Sequence, residues 1–508
     1  MKPMRKIIQS MSLALAIGGA GSVFAIEAPA DAGVDWRGPD GSTALQWAVY
    51  DGDVEGVQRL IADGADVNLA NNYGANPMQL AAEVANVELL KLLLDASADP
   101  DSANPEGQTA LMLVARTGNV AAATLLVDHG ATVDAREQWG LQTALMWAAA
   151  RQQPAMLEYL IGKGADINAQ SIARDYPRHV TKEGRAKNLD AGGLTPLMYA
   201  TRENCFACVQ TLIDHGVDMN KPDPEGVSPL LLAVVNSRWD IAKQLIEAGA
   251  DIQQWDSFGH APLLAAVSRR KESGAGPNQP LNETSGLAVV QLLVDKGANV
   301  NMQLFNRPSK TRGGPLTRGT TPLIVAASNG DLDVIRLLLE HGAQANLPQA
   351  DLQTPVSALA GARGDSEQML AALDLLIAAG ADPNVTAVHH HLQRTRGGTP
   401  LHYAVRAGNG QMIAALVAHG ADINRMDHDG LTALDHAMSR NQIAFLQMRR
   451  PPNIALADQL RALGATVELD ATPYWPNVGP PFYYPWSVFP LDPAAELNAL
   501  VPGSFDHQ

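Results

Sequence analysis

An all-α solenoid of about eleven helix–turn–helix repeats is the fold this sequence predicts, and three observations predict it. A helix-closing glycine recurs along the chain. A Thr/Ser-(Pro/Ala)-Leu start signal precedes it by about 20 residues, and the apolar residues between the two fall at helical spacing.

The closing glycine lies in "DGADVN" (63–68), "HGATVD" (129–134), "KGADIN" (163–168), "HGVDMN" (215–220), "AGADIQ" (248–253), "KGANVN" (296–301), "HGAQAN" (341–346), "AGADPN" (379–384), "HGADIN" (419–424) and "LGATVE" (463–468). Ser97 of "ASADPD" fills the missing place, 33 residues after Gly64. The residue just past a helix end needs positive φ, which costs glycine nothing. The start signal is clearest in "STALQWA" (42–48), "QTALMLVA" (108–115), "LTPLMYA" (194–200), "TTPLIVA" (320–326) and "GTPLHYA" (398–404). Thr or Ser caps the first helix, Pro or Ala sits in its first turn, and Leu and Ala face inward. A turn and a second helix follow, as in "DVIRLLLEHG" (333–342).

Two helices, a turn and an extended connection at a 33-residue period, with T-P-L-H-x-A, resemble the ankyrin repeat. Only "TPLHYA" (399–404) carries the whole six-residue signature; elsewhere Gln, Met, Leu, Ile or Asp replaces His, which predicts looser local hydrogen bonding. The resemblance covers about residues 40–470. It implies one elongated, curved solenoid in which each repeat buries its faces against its neighbours. It also implies β-hairpin fingers between repeats and protein–protein recognition through fingers and inner helices.

The period is interrupted. Successive closing positions step by 33, 33 and 34, then 52, 33, 48, 45, 38, 40 and 44. One insertion, 269–286, falls between the two helices of a repeat and is rich in Gly, Pro, Asn and Ser. "MRRPPN" (448–453) extends the last repeat. Three others enlarge fingers, at 171–191, 302–318 and 385–397. The first holds Arg174, Arg178, Lys182, Arg185 and Lys187 against three acids; the second holds Arg307, Lys310, Arg312 and Arg318; the third holds Arg394 and Arg396 beside three histidines. Together they are +8 in a chain of −16. Basic loops on an acidic scaffold point to an acidic partner, since the guanidinium fork suits carboxylates and phosphates. Pairing with the protein's own acidic surface, or plain solvation, are the alternatives.

Aromatic residues form two sets. Trp47, Trp147, Tyr199 and Tyr403 sit on one side of first helices, where packing between repeats competes with a ligand platform. Tyr73, Trp139 and Phe258 stand at fingertips and are candidate partner contacts. "CFAC" places Cys205 at a turn and Cys208 at an apolar repeat position, so Cys208 reads as core, and in an oxidising compartment the pair has the option of a local disulfide. A haem or thioredoxin-like role lacks the flanking residues it needs. "HHH" (389–391) has no neighbouring Cys or carboxylate to complete a metal site. No metal or cofactor is expected, and no nucleophile, phosphate-loop or zincin motif marks an enzyme.

The ends differ from the array. Lys2, Arg5 and Lys6, an apolar stretch, and small residues ending in Val23-Phe24-Ala25 predict a signal peptide over 1–25. Its removal leaves a chain of about −19 and no segment long and apolar enough to span a membrane. Residues 26–39 form a lead. Residues 471–508 form a tail rich in Pro and aromatics, read as a cap over the last repeat or as a docking segment. A strongly acidic exported chain is a poor nucleic-acid binder. The prediction is a non-catalytic scaffold of a bacterial envelope, periplasmic or secreted, that binds another protein. The alternatives are a structural or stress-protective accessory to an exported enzyme, and a metal or redox carrier.

Overall fold

A computed structural model describes residues 33–173, 192–257, 259–270, 283–305, 318–387, 398–427, 430–438 and 452–466. The described elements are all helical and form eleven successive pairs, from Ala44–Asp51 and Val54–Ala62 to Ala433–Ala437 and Ile454–Ala462. The chain divides into two compact units, the first made of 1–148 with 162–165 and the second of 149–161 with 166–508. The division falls inside the fourth repeat, within the helix Ala144–Ala150 and at the last residue of Pro154–Gly162.

In the first unit, Ala44–Asp51 packs on Pro77–Glu83 and that on Ala110–Thr117, while the second helices Val54–Ala62, Val87–Asp95 and Val120–Asp128 stack alongside. The second unit repeats this from Pro196–Arg202 and Phe206–Asp214 onward through seven pairs. The start signal explains the core. Its apolar residue is sealed at the same place: Leu45, Leu111, Leu197, Leu263, Leu323, Leu401 and Leu434 are all buried, as are Met78 and Val356 where leucine is replaced. Second helices add Leu89, Leu93, Leu126, Leu160, Leu212, Leu245, Leu293, Leu338, Leu376 and Leu416 to the same interior. Within each unit these faces pack against neighbouring repeats, so burial couples each pair to the next.

Thr43, Thr195, Ser228, Thr321 and Thr432 cap their helices by accepting the backbone N–H of the residue three positions on. At the other end, the Gly64 N–H donates to the Ile61 carbonyl (3.0 Å) and the Ala65 N–H to the Leu60 carbonyl (2.9 Å), a Schellman closure with Gly64 at φ 90°. Ser97 adopts φ 66° in the equivalent position, so the sequence substitution is absorbed by strain.

The Asn four residues after a closing glycine has a structural role that the sequence did not disclose. Its side chain accepts a backbone N–H from the next repeat. Asn68 takes Asp99, Asn168 takes Asp218, Asn220 takes Asp251, Asn301 takes Gln344, Asn346 takes Asp382 and Asn384 takes Asp422, at 2.7–2.9 Å. A ladder of amides thus sets repeat against repeat.

The expected loosening where His is replaced does not hold in the first two repeats. Gln46 accepts the Thr43 N–H (2.8 Å) and donates to the carbonyls of Leu69 (2.9 Å) and Ala75 (2.7 Å). Gln79 reproduces the pattern toward Ser102 and Gln108 at 3.4 Å. A primary amide offers the same acceptor and donor pair as a neutral imidazole.

Candidate protein-interaction surface

The fingers are tight turns closed by backbone pairs rather than strands among the described residues. The Asn71 N–H donates to the Ala75 carbonyl (2.9 Å), Asn104 to Gln108 (3.1 Å) and Asp223 to Val227 (3.0 Å). The three enlarged fingers begin and end on similar pairs. Ala173 and Gly192 form an antiparallel bridge, as do Ala387 and Gly398, and Leu304 is paired with Gly319 and Thr320. Each insertion is therefore bounded by a paired neck.

Arg318 stands at one of these necks, partly exposed, and its carbonyl accepts the Ala350 N–H (2.8 Å). Arg174, Arg178, Lys182, Arg185, Lys187, Arg307, Lys310, Arg312, Arg394 and Arg396 lie outside the described residues, as do Phe258, the histidine run, the signal segment 1–25 and the tail 471–508.

Tyr73 is 59% and Trp139 66% exposed at fingertips of the first unit. The inner aromatics behave differently. Tyr199 and Tyr403 are buried, and Arg202 and Arg406 lie over their rings at 4.9 and 4.3 Å. Burial pushes the Tyr403 hydroxyl up to about 12. Arg116 lies 6.0 Å from the Trp147 ring and forms an ion pair with Glu83. These rings pack within the protein and are covered by its own guanidinium groups. Sequence reasoning named the rings and missed the arginines: Arg202 and Arg406 follow their own ring by three residues on the same first helix, whereas Arg116 reaches Trp147 from the first helix of the preceding repeat.

Cys205 and Cys208 are joined by a disulfide. Cys205 is the N-cap of Phe206–Asp214, its sulfur accepting the Cys208 N–H (3.2 Å), and both residues are buried. Cys205 thus occupies the place filled by Asn86, Asn119 and Asn409 in other repeats.

His402, Asp427 and His436 bring three potential metal-ligating atoms within 4.8 Å of one another, all buried. Their polar atoms are engaged within the protein. The Thr399 N–H donates to His402 Nδ1 (3.1 Å), so Nε2 carries the proton and donates to the Leu431 carbonyl (2.9 Å). Asp427 accepts the Leu431 N–H (3.0 Å) and pairs with His436 Nε2 (2.7 Å). Burial, reinforced by the charge of His436, lowers His402 to about 4 and keeps its ring neutral. For Asp427 burial acts upward, but hydrogen bonding and charge from His436 outweigh it and the net shift is downward. The cluster locks one finger onto the next helix pair.

The family profile described as ankyrin repeats (3 copies) matches residues 13–104, 79–171, 178–256, 281–387 and 362–448, well over half of the chain. The chain belongs to the ankyrin repeat family. Among curated relatives it is similar to the ankyrin repeat, SAM and basic leucine zipper domain-containing protein 1 of Dasypus novemcinctus, at 35% identity over 30% of this chain and 29% of that protein. The same protein of Microcebus murinus is 38% identical over 26% of this chain and 24% of its own length. The chain therefore spans under a third of these relatives. Solved neighbours include the ankyrin repeat domain of Bcl-3, of the IkappaB protein family (25% identity, TM-score 0.40, 50% of this chain and 99% of that one). Another is the human ASB11 ankyrin repeat domain (20% identity, TM-score 0.39, 51% of this chain and 99% of that one). Ankyrin repeats indicate a scaffold for protein–protein interaction. Among the described residues, no helix is long and apolar enough to cross a membrane.

Proposed function

We propose that this ankyrin repeat protein is an exported, non-catalytic scaffold of the cell envelope. It binds an acidic protein partner through the basic loops inserted into its fingers, together with the inner-helix face beside them. One observation carries the reading. The segments holding the +8 excess are each bounded by a closed finger neck, at Ala173–Gly192, Leu304–Gly319 and Ala387–Gly398, rather than by helix ends. Loops anchored in this way present guanidinium groups to a partner without disturbing the repeats beneath them. Export is supported by the basic, apolar and small-residue order of residues 1–25.

Affinity capture from exported proteins tests the partner chemistry. Wild type is compared with a chain in which Arg307, Arg312, Arg394 and Arg396 are replaced by Gln. The variant recovers less of the acidic partner, and capture by wild type falls steeply with ionic strength. Equal recovery by both chains rules out the basic loops as the contact.

A further inference from the structure

The charge of this protein is unevenly distributed. Residues 33–148 hold sixteen Asp and Glu against five Arg and Lys, a net −11, whereas residues 149–508 carry only −6. The same first unit carries a row of fingertips at a common repeat position, the third on a turn one residue longer. Tyr73, Glu106 and Trp139 occupy one position in three successive fingers, each directly before a glycine and 33 residues apart.

These tips are held in place from below. The Tyr73 N–H donates to Asn71 Oδ1 (3.0 Å) and the Glu106 N–H to Asn104 Oδ1 (3.1 Å). Glu137, buried under the third tip, accepts the N–H groups of Trp139 (2.7 Å), Gly140 (2.7 Å) and Gln142 (3.0 Å). The Pro105 ring packs against Gly74, where any Cβ would collide with it. The Gln138 N–H donates to the Glu106 carbonyl (2.8 Å), tying tip to tip. The two aromatic rings are nonetheless mostly exposed. A large, exposed indole on a rigid turn is an unusual use of tryptophan, because burying it contributes heavily to binding and its ordering cost here is already met.

We infer that the fingertip row Tyr73–Glu106–Trp139 is a docking surface for a basic peptide segment of a partner protein. The charge of the unit attracts cations, the carboxylate of Glu106 receives one directly, and the faces of Tyr73 and Trp139 accept guanidinium groups by stacking. Neighbouring repeats are about 10 Å apart, so the two rings stand roughly 20 Å apart. An extended chain covers that with about six residues. The matching ligand has cationic side chains about six positions apart, with another midway. This surface takes a ligand of opposite sign to the one proposed for the basic loops.

The probe is a labelled nonapeptide of Gly and Ser with Arg at its second, fifth and eighth positions, titrated into the full chain by fluorescence anisotropy at about 0.01 M ionic strength. Wild type binds it. The double variant Tyr73→Ala/Trp139→Ala loses at least about tenfold in affinity while its −11 charge and far-UV circular dichroism are unchanged, and Glu106→Gln loses less. The chain with neutralised basic loops binds the peptide as wild type does, so this surface is judged separately from the acidic-partner reading. Equal binding by the double variant overturns the inference, as does absence of binding by wild type. Sedimentation showing a dimer that the double variant abolishes, without peptide binding, overturns it in favour of a second copy of this chain.

Discussion

Replacing His402 by Gln should remove most of the acid sensitivity that this residue imposes on the tenth repeat. The buried imidazole is neutral in the folded state, with its pKa lowered from 6.5 to about 4. Because the folded value is depressed, the unfolded chain binds the proton first as pH falls. Its stabilisation is complete above 6.5 and is lost progressively between 6.5 and 4. At about 1.4 kcal/mol per pH unit, the loss is roughly 2 kcal/mol at pH 5 and roughly 3 kcal/mol at pH 4. Glutamine does not titrate, yet it performs the same task in this protein, where Gln46 accepts from the capping threonine and donates to the following finger. His402→Gln therefore keeps near-wild-type stability at pH 7 and exceeds wild type at pH 5. Urea unfolding followed by circular dichroism at both values measures it. With slopes of 1–3 kcal/mol per molar, the gap at pH 5 is on the order of 1 M in midpoint. Parallel losses in both proteins between pH 7 and 5 would refute a neutral buried His402 as the source.

Two further predictions concern the stack. Ser97→Gly relieves a serine held at φ 66° where the other repeats use glycine, and raises stability by about 1 kcal/mol in the same assay; a decrease would show that Ser97 is not strained. Asp331 is 2% exposed, caps Leu332–Glu340 through the Val334 N–H, and pairs with both Nε and Nη2 of Arg270. Asp331→Ala costs about 3 kcal/mol by stranding a mostly buried guanidinium and removing a cap, and a loss under about 1 kcal/mol would mean the arginine finds water instead.

The pair architecture was legible because it rests on local rules. A Thr before Pro-Leu caps a helix, and a Gly 20 residues later ends the next one, whatever surrounds them. Cross-repeat chemistry was not legible in the same way. Arg270 and Asp331 are 61 residues apart with an insertion between them, and no periodicity links them. Cys205 was placed at a turn by repeat counting, but its sulfur serving as an N-cap acceptor depends on where the helix begins. The Asn68-to-Asp99 ladder recurred in the sequence as a composition preference, and only the three-dimensional stack shows that each amide reaches the following repeat. The fingertip tyrosine was identifiable because the turn glycine beside it, at positive φ, fixes which residue stands at the apex; beside Trp139 it is Leu141 that takes the positive φ.

The paired backbone at Ala173–Gly192 and Ala387–Gly398 has an evolutionary consequence. Since the neck is satisfied by the regular chain on either side, what hangs beyond it can be lengthened, shortened or rewritten at little thermodynamic penalty, roughly 0.6 kcal/mol for each doubling of length. Selection on ligand choice can then operate on those segments as on the variable loops of an antibody, leaving the supporting framework untouched. Foreign peptides spliced at these same junctions would inherit that tolerance.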